Sequence, residues 1–222
     1  MPLILALDSS TEACSCALAI DGKIFETFKL LPRLHTQHIL PMIQNLMAEH
    51  DFNYTDLDGI AVGAGPGSFT GLRIAAGVAQ GIAFGASVPL IPVSTLAALA
   101  QQSLKFDTQY VFTCLDARID EVYWAVYSTA ANKVQLLGDE QLCKPEMINM
   151  DLTGSCYGVG NGMAFIEQMP ELMQSSIGAF DIDVYPHAAA IAELAVGYLE
   201  QGMAMPPEDF SPTYLRNKVT QN

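Results

Sequence analysis

Apolar residues at the start of the chain fall into three short runs, Leu3 to Leu7, Ala13 to Ile20 and Ile24 to Leu30, with Asp21-Gly22 between the last two. Runs of this length read as strands, and Asp-Gly between two of them is the strongest short hairpin signal. Ile39, Met42, Ile43, Leu46 and Met47 then follow an i, i+3, i+4, i+7, i+8 pattern with Gln44, Asn45 and Glu49 opposite, which predicts a helix with one apolar stripe. Pro41 is expected near its start, because deeper in it would interrupt the hydrogen-bond ladder. Asp58-Gly59 opens a short buried strand, Ile60 to Val62, which runs into a glycine-rich loop and a second helix from about Thr70 to Ala86. That helix is apolar nearly all round, with Arg73 and Gln80 as its marked polar positions and Gly77, Gly81 and Gly85 recurring every four residues. A helix covering one face of a sheet should show water a polar side. Either it packs unusually tightly on its own sheet, or its outer face meets a partner.

The second half repeats the plan. Leu115-Asp116 precedes a strand at Glu121 to Tyr127 as Leu7-Asp8 precedes one in the first half, and a third strand is expected around Val134 to Leu137. Val62-Gly63-Ala64-Gly65 is echoed by Val159-Gly160-Asn161-Gly162, each ahead of a predicted helix. The inference is an α/β protein of two duplicated βββαβα lobes flanking a cleft, 1–106 and 107–222, the second reduced. Its marks lie 44 residues apart, Asp116 to Gly160, against 55 from Asp8 to Gly63. Ala188 to Leu199 predicts a late helix, and Pro206-Pro207 and Pro212 send the tail along a surface in extended form.

Composition sharpens the partner question. Half of the 222 residues are hydrophobic and 15% are charged, against about 25% in a typical soluble domain. Acids outnumber bases 24 to 10, for a net charge of −14. Such a field repels nucleic acid, so tRNA or DNA contact is expected only through other subunits. Arg216 and Lys218 in an acid-free tail leave room for one local contact with something negative. Five cysteines without a C-x-x-C pair read as reduced thiols of a cytosolic protein and argue against zinc. Leu3 to Leu7 is too short and lacks the basic flank of a signal peptide. The charge-free stretch Ile74 to Ala100 is cut by Pro89 and Pro92 and reads as core, with no membrane role.

Candidate chemistry concentrates in two places. Asp8-Ser9-Ser10-Thr11 at a strand end reads, alone, as an ordinary turn. The duplicated plan shifts the weight, since an acidic residue ending the first strand of a repeated lobe is the pattern of the actin, hexokinase and heat-shock ATPase superfamily. The loop Gly63-Ala64-Gly65-Pro66-Gly67-Ser68-Phe69-Thr70-Gly71 lies between strand and helix, where backbone N–H groups crowd an anion. It lacks the Lys-Ser/Thr of a P-loop and places Ser68 where a dinucleotide fingerprint needs glycine. Asp8, Ser9, Gly65, Gly67 and Ser68 are thus a candidate nucleotide set, with a sharp structural turn as the equal alternative. Histidines 35, 38, 50 and 187 supply no ligand set and read as surface or interface groups. No G-x-S-x-G elbow occurs. Asp120-Glu121, adjacent on a strand, would point to opposite faces and form no dyad.

Taken together, Ile4-Leu5-Ala6-Leu7-Asp8-Ser9-Ser10-Thr11, Gly65-Pro66-Gly67-Ser68-Phe69-Thr70-Gly71-Leu72-Arg73-Ile74, Leu115-Asp116-Ala117-Arg118 with Glu121-Val122-Tyr123, and Pro212-Thr213-Tyr214-Leu215-Arg216 resemble the bacterial TsaB (YeaZ) family over essentially the whole chain. The resemblance implies a role in making the threonylcarbamoyl modification of the adenosine beside the anticodon in tRNAs reading codons that begin with A. It implies a scaffold partner of the related transferase TsaD, joined by the small ATPase TsaE, with no catalytic residue or required cofactor of its own and ATP or ADP at most at the partner interface. The transferase keeps a metal-binding His-x-x-x-His where this chain reads Thr95 and Leu99, neither of which holds a transition metal as imidazoles do. The resemblance also implies that the helices at about His38 to Glu49 and Thr70 to Ala86 pack against TsaD, or against a second copy in its absence. His38, Ile39, Met42, Ile43, Leu46, Arg73, Gly77 and Gly81 would lie at that contact. The alternative is an autonomous ATP-dependent phosphotransferase or ATPase using Asp8 and the glycine loop.

Overall fold

The computed structural model describes residues 2–130, 133–150 and 152–216. The described residues divide into two compact units, one made of those up to Ala98 with Pro186–Thr213, the other of Leu99–Tyr185 with 214–216.

In the first unit, β1 (Ile4–Asp8), β2 (Ala13–Ile20) and β3 (Lys23–Leu30) form an antiparallel meander. Ile20 pairs with Lys23, so Asp21-Gly22 is a two-residue hairpin loop with positive φ at both positions. This is the backbone that Asp-Gly tolerates best. After α1 (His35–Glu49) the chain adds β4 (Gly59–Gly65) parallel to β1, then α2 (Phe69–Ala86), β5 (Leu90–Ser94) and α3 (Thr95–Gln102). The strand order is β3-β2-β1-β4-β5.

The inner strands β1, β2 and β4 are buried on both faces, which is why they read as near-continuous apolar runs. Leu5 and Leu7 join Ile39, Met42, Ile43 and Leu46 of α1 and Ala75, Ala79 and Ala83 of α2 in one core. Ile4 and Ala6 point the other way, into a core filled by Ala188, Ile191, Ala192 and Ala195 of α5 (Ala188–Glu200). The last helix therefore belongs to the first unit rather than to a lobe spanning 107–222. Its apolar face is what covers the second side of that sheet.

The second unit repeats the strand plan: β6 (Tyr110–Arg118), β7 (Glu121–Ser128), β8 (Gln135–Cys143), β9 (Cys156–Val159) and β10 (Ile177–Asp181), in order β10-β9-β6-β7-β8. Reversed, this is the first sheet strand for strand, so the duplication is real and extends to a fifth strand in each half. The reduction lies in the connections. A single 3₁₀ turn, Pro145–Met147, replaces α1, and a 3₁₀ stretch, Asn161–Gln168, followed by the short α4 (Glu171–Ser176) replaces α2.

Two local expectations change. Pro41 lies well inside α1, six positions from its first residue. It sits on the exposed side, where water can satisfy the carbonyl of Gln37 that its missing N–H leaves unbonded. Asp120 is not on a strand. It occupies the β6–β7 turn with a positive φ, and only Glu121 begins β7.

Candidate functional site

Asp8 ends β1 with 1% of its surface exposed. Its Oδ1 accepts from the backbone N–H and the hydroxyl of Ser10, at 3.0 and 2.9 Å. Its Oδ2 is buried without a hydrogen-bond partner. Burial pushes the carboxyl up from 3.8 to about 7, with the Ser10 bonds and nearby His187 pulling down and Glu26 adding to the rise. A carboxylic acid that stays neutral is what a sealed site tolerates.

The glycine loop closes over the same strand end. Ser68 donates its N–H to the carbonyl of Ser10 at 2.7 Å, and the Ser9 hydroxyl donates to the carbonyl of Gly71 at 2.8 Å. A Cβ on Gly67 would lie 2.6 Å from the Ser10 oxygen, one on Gly71 1.9 Å from the Ser9 oxygen, and one on Gly65 2.7 Å from the Thr213 oxygen. Asp8, Ser9, Gly65, Gly67 and Ser68 are therefore brought together as predicted. The room made by the missing side chains is taken by this chain's own backbone, however, and the Ser68 amide is spent on Ser10. The residues do not fit a phosphate cradle, and of the two readings of this loop the sharp structural turn is the one the packing supports.

Thr213 arrives at the end of an extended strap. Met205 pairs with Leu90 at the open edge of β5, Phe210 is buried in the core under α2, and Thr213 donates to the Ala64 carbonyl at 2.7 Å. Gln80, half of the polar signal on α2, donates to the carbonyls of Pro207 and Phe210 at 2.8 and 3.2 Å.

The helix faces can now be sorted. Ile39, Met42, Ile43 and Leu46 are all buried in the core beneath α1, so they have no surface to offer a partner; this corrects their placement at an interface. The stripe is claimed by the chain's own sheet. His38 is half-buried, and the outward positions of α1 include Leu40 and Gln44. On α2, by contrast, Arg73, Gly77 and Gly81 are exposed. A Cβ on Gly77, Gly81 or Gly85 would meet nothing within 4 Å. Phe84 stands 57% exposed beside them, and the Arg73 guanidinium lies 3.7 Å from the centroid of the Phe69 ring. Phe84 and Leu40 escape a reading that looks for stripes, though Phe84 follows Gly77 by seven residues and so shares its face.

Of the four histidines His35 is buried, and His38, His50 and His187 are half-buried. His35 is buried with Nε2 3.2 Å from the carbonyl of Ala13, and His187 sits 2.8 Å from Glu26 while stacking on Phe28. His50 packs on Phe25. Thr95 and Leu99 are fully buried. No helix among the described residues is long and apolar enough to cross a membrane. Lys218 lies outside the described residues, whereas Arg216 donates to the carbonyls of Ala117 and Arg118 and pairs with Glu121.

Two five-stranded sheets of matching order define a protein of the actin and hexokinase class. A family model described as "TsaD: tRNA N6-adenosine threonylcarbamoyltransferase" matches residues 29–221. The tRNA threonylcarbamoyladenosine biosynthesis protein TsaB of Escherichia coli is 40% identical over 97% of this chain and 95% of its own, and that of Haemophilus influenzae is 40% identical over 98% and 94%. The solved structure of YeaZ from Pseudomonas aeruginosa superposes with a TM-score of 0.92 at 39% identity, covering 97% of this chain and all of that one. The chain belongs to the TsaB (YeaZ) family.

Proposed function

We propose that this chain is a non-catalytic subunit in tRNA threonylcarbamoyladenosine biosynthesis, which docks on the transferase TsaD and acts with the ATPase TsaE while leaving tRNA contact to its partners. The observation that carries this reading is the outer face of α2, where three glycines in register open onto solvent beside an exposed phenylalanine. Small residues at four-residue spacing let a second helix approach closely, and apolar surface left uncovered on a soluble helix marks a contact site. The interface is centred on Arg73, Gly77, Gly81 and Phe84, with Leu40 and Gln44 of α1 at its side. The same patch can self-pair, so the chain forms a homodimer when TsaD is absent.

Three features support the absence of chemistry. Asp8 is sealed from solvent, and burial raises its carboxyl to about 7, so that it is about half protonated at pH 7. The loop glycines are filled by the chain's own backbone, so a nucleotide, where one is needed, belongs to a partner or to the contact with it. The family resemblance puts Thr95 and Leu99 at the positions of the transferase's metal-binding histidines, and both are buried here. The composition and the reduced thiols suit a cytoplasmic assembly.

Reconstitution tests this reading: TsaD, TsaE and the adenylate-forming synthase with tRNA, threonine, bicarbonate and ATP, with and without this chain. Modified tRNA should accumulate only when the chain is present. Full modification without it overturns the proposal.

A further inference from the structure

Four strands stand at sheet edges, β3 and β5 in the first unit and β8 and β10 in the second. An open edge invites an added strand, and proteins blunt it with lysine, with an irregularity or with a cover. Three of the four are treated in this way. Lys23 and Lys29 lie exposed on β3, the strap covers β5 through Met205 and Leu90, and β8 carries exposed Asp139 beside Gly138 at a φ of 78°. β10 is the exception. Its sequence, Ile177-Gly178-Ala179-Phe180-Asp181, contains neither Lys nor Pro, and among the described residues it pairs with β9 alone. The register shift against β9 falls at Gly178, after which Ala179, Phe180 and Asp181 run in step with Tyr157, Gly158 and Val159. The Asp181 carbonyl accepts from the Gly160 N–H at 3.0 Å. Backbone groups of successive strand residues point to alternate edges, so Phe180 turns its N–H and C=O away from β9. Gly178, Ala179 and Phe180 are all exposed.

The two faces of this edge differ in chemistry. A Cβ on Gly158 would lie 3.0 Å from the Cβ of Phe180 and 2.7 Å from the Met163 methyl, which puts Phe180 at the margin of the apolar core. It is 46% exposed, with Ile182 just beyond it and Leu172 of α4, which leads into β10, also open to solvent. Asp181 points to the opposite face. Charge around the edge is one-sided, for the chain from Pro145 to Tyr185 holds six acids and no Lys or Arg. Glu167, Glu171 and Asp183 are exposed. On the Asp181 face Tyr157 stacks on Phe106, and Lys105 over that ring is offset by exposed Asp107.

We propose that β10 accepts an added strand from a protein partner, an extended segment with apolar side chains on one face and Lys or Arg on the other. Backbone bonds to the open edge supply the affinity, and the alternation of Phe180 with Asp181 supplies the selection. A phosphate backbone is repelled by the same acids. A second copy of this chain would set two acidic rims against each other. The surface is distinct from the outer face of α2, so it stands or falls separately from docking on TsaD.

The test titrates a short capped peptide of alternating Lys and Val onto the full chain and follows hydrogen exchange of the β10 amides. Binding should slow exchange at Phe180 about tenfold or more. A peptide of alternating Glu and Val, and the Lys-Val peptide with every amide N-methylated, should each bind about tenfold or more weakly, the first through lost charge pairing and the second through lost backbone bonds. Ala179→Lys places a gatekeeper on the edge and should weaken the Lys-Val peptide similarly, with circular dichroism unchanged. Equal binding of the N-methylated peptide means that charge alone attracts it, and overturns the added strand. Equal binding of the Glu-Val peptide, or wild-type exchange at Phe180 with the Lys-Val peptide bound, overturns it as well. So does self-association that Ala179→Lys abolishes in sedimentation, or protection of Phe180 by tRNA, because either would assign the edge to a different occupant.

Discussion

A Cβ placed on Gly63 would sit 2.1 Å from Oδ2 of Asp8. The strand that opens the glycine loop and the one hydrogen-bond-deficient carboxyl oxygen in β1 are thus fitted to each other without room for a methyl group. Gly63→Ala should destabilise the protein by about 2–4 kcal/mol, in the range of an overpacked core or a disturbed buried polar group. Combining it with Asp8→Ala should recover part of the loss, because the two residues share one space. Denaturant unfolding of the two single variants and the double variant measures this directly.

The Asp8 carboxyl also ties stability to pH. Its value rises from 3.8 to about 7 on folding, so the folded chain holds a proton that the unfolded chain releases. The stabilisation from that proton is fully present below about 3.8 and is lost as the pH rises through about 7, amounting to ~4 kcal/mol over the window. Asp8→Asn, which carries no titrating group, should flatten this contribution. Unfolding midpoints between pH 4 and 8 read the difference between wild type and variant.

The two glycine sets should respond in opposite directions. Gly71→Ala drives a Cβ to within 1.9 Å of the Ser9 carbonyl oxygen and should unfold or severely weaken the first unit. Gly77→Ala meets nothing, and as a helix-interior exchange it should add about 0.5–1 kcal/mol. Equal losses from both variants would contradict the assignment of one set to packing and the other to an open surface.

Pro41 interrupts α1 on its wet side. Pro41→Ala restores one backbone hydrogen bond and should raise stability by about 1–3 kcal/mol. Thermal unfolding at a fixed pH detects a shift of that size.

What the sequence revealed, and what it hid, follows from what each signal physically encodes. Period-two runs and Asp21-Gly22 identified the first meander because they specify local backbone. The stripe Ile39, Met42, Ile43, Leu46 located α1 as well, but periodicity says which face is apolar and not what covers it. Its own sheet does, and the proposed partner-facing surface falls instead to Gly77, Gly81 and Phe84, where the signal is largely a lack of side chain. Ala188 to Leu199 likewise read as a helix of the 107–222 lobe, and only packing assigns it to the reverse face of the first sheet. The glycine loop stayed ambiguous because a phosphate cradle and a close backbone crossing both demand glycine; the Ser9 and Ser10 carbonyls decide it. Ile119-Asp120 carried no turn signature at all, since isoleucine is the residue least expected there.

The central claim is that the open glycine face of α2 docks this subunit onto its transferase. The most direct measurement is the affinity of TsaD for wild type and for Gly77→Glu and Gly81→Glu, with circular dichroism to verify the fold and sedimentation to follow self-pairing. The account predicts native spectra, loss of the homodimer and an affinity for TsaD reduced about a hundredfold or more, as expected when a charge is placed at the centre of an interface. Charged variants that bind TsaD as tightly as wild type would contradict it.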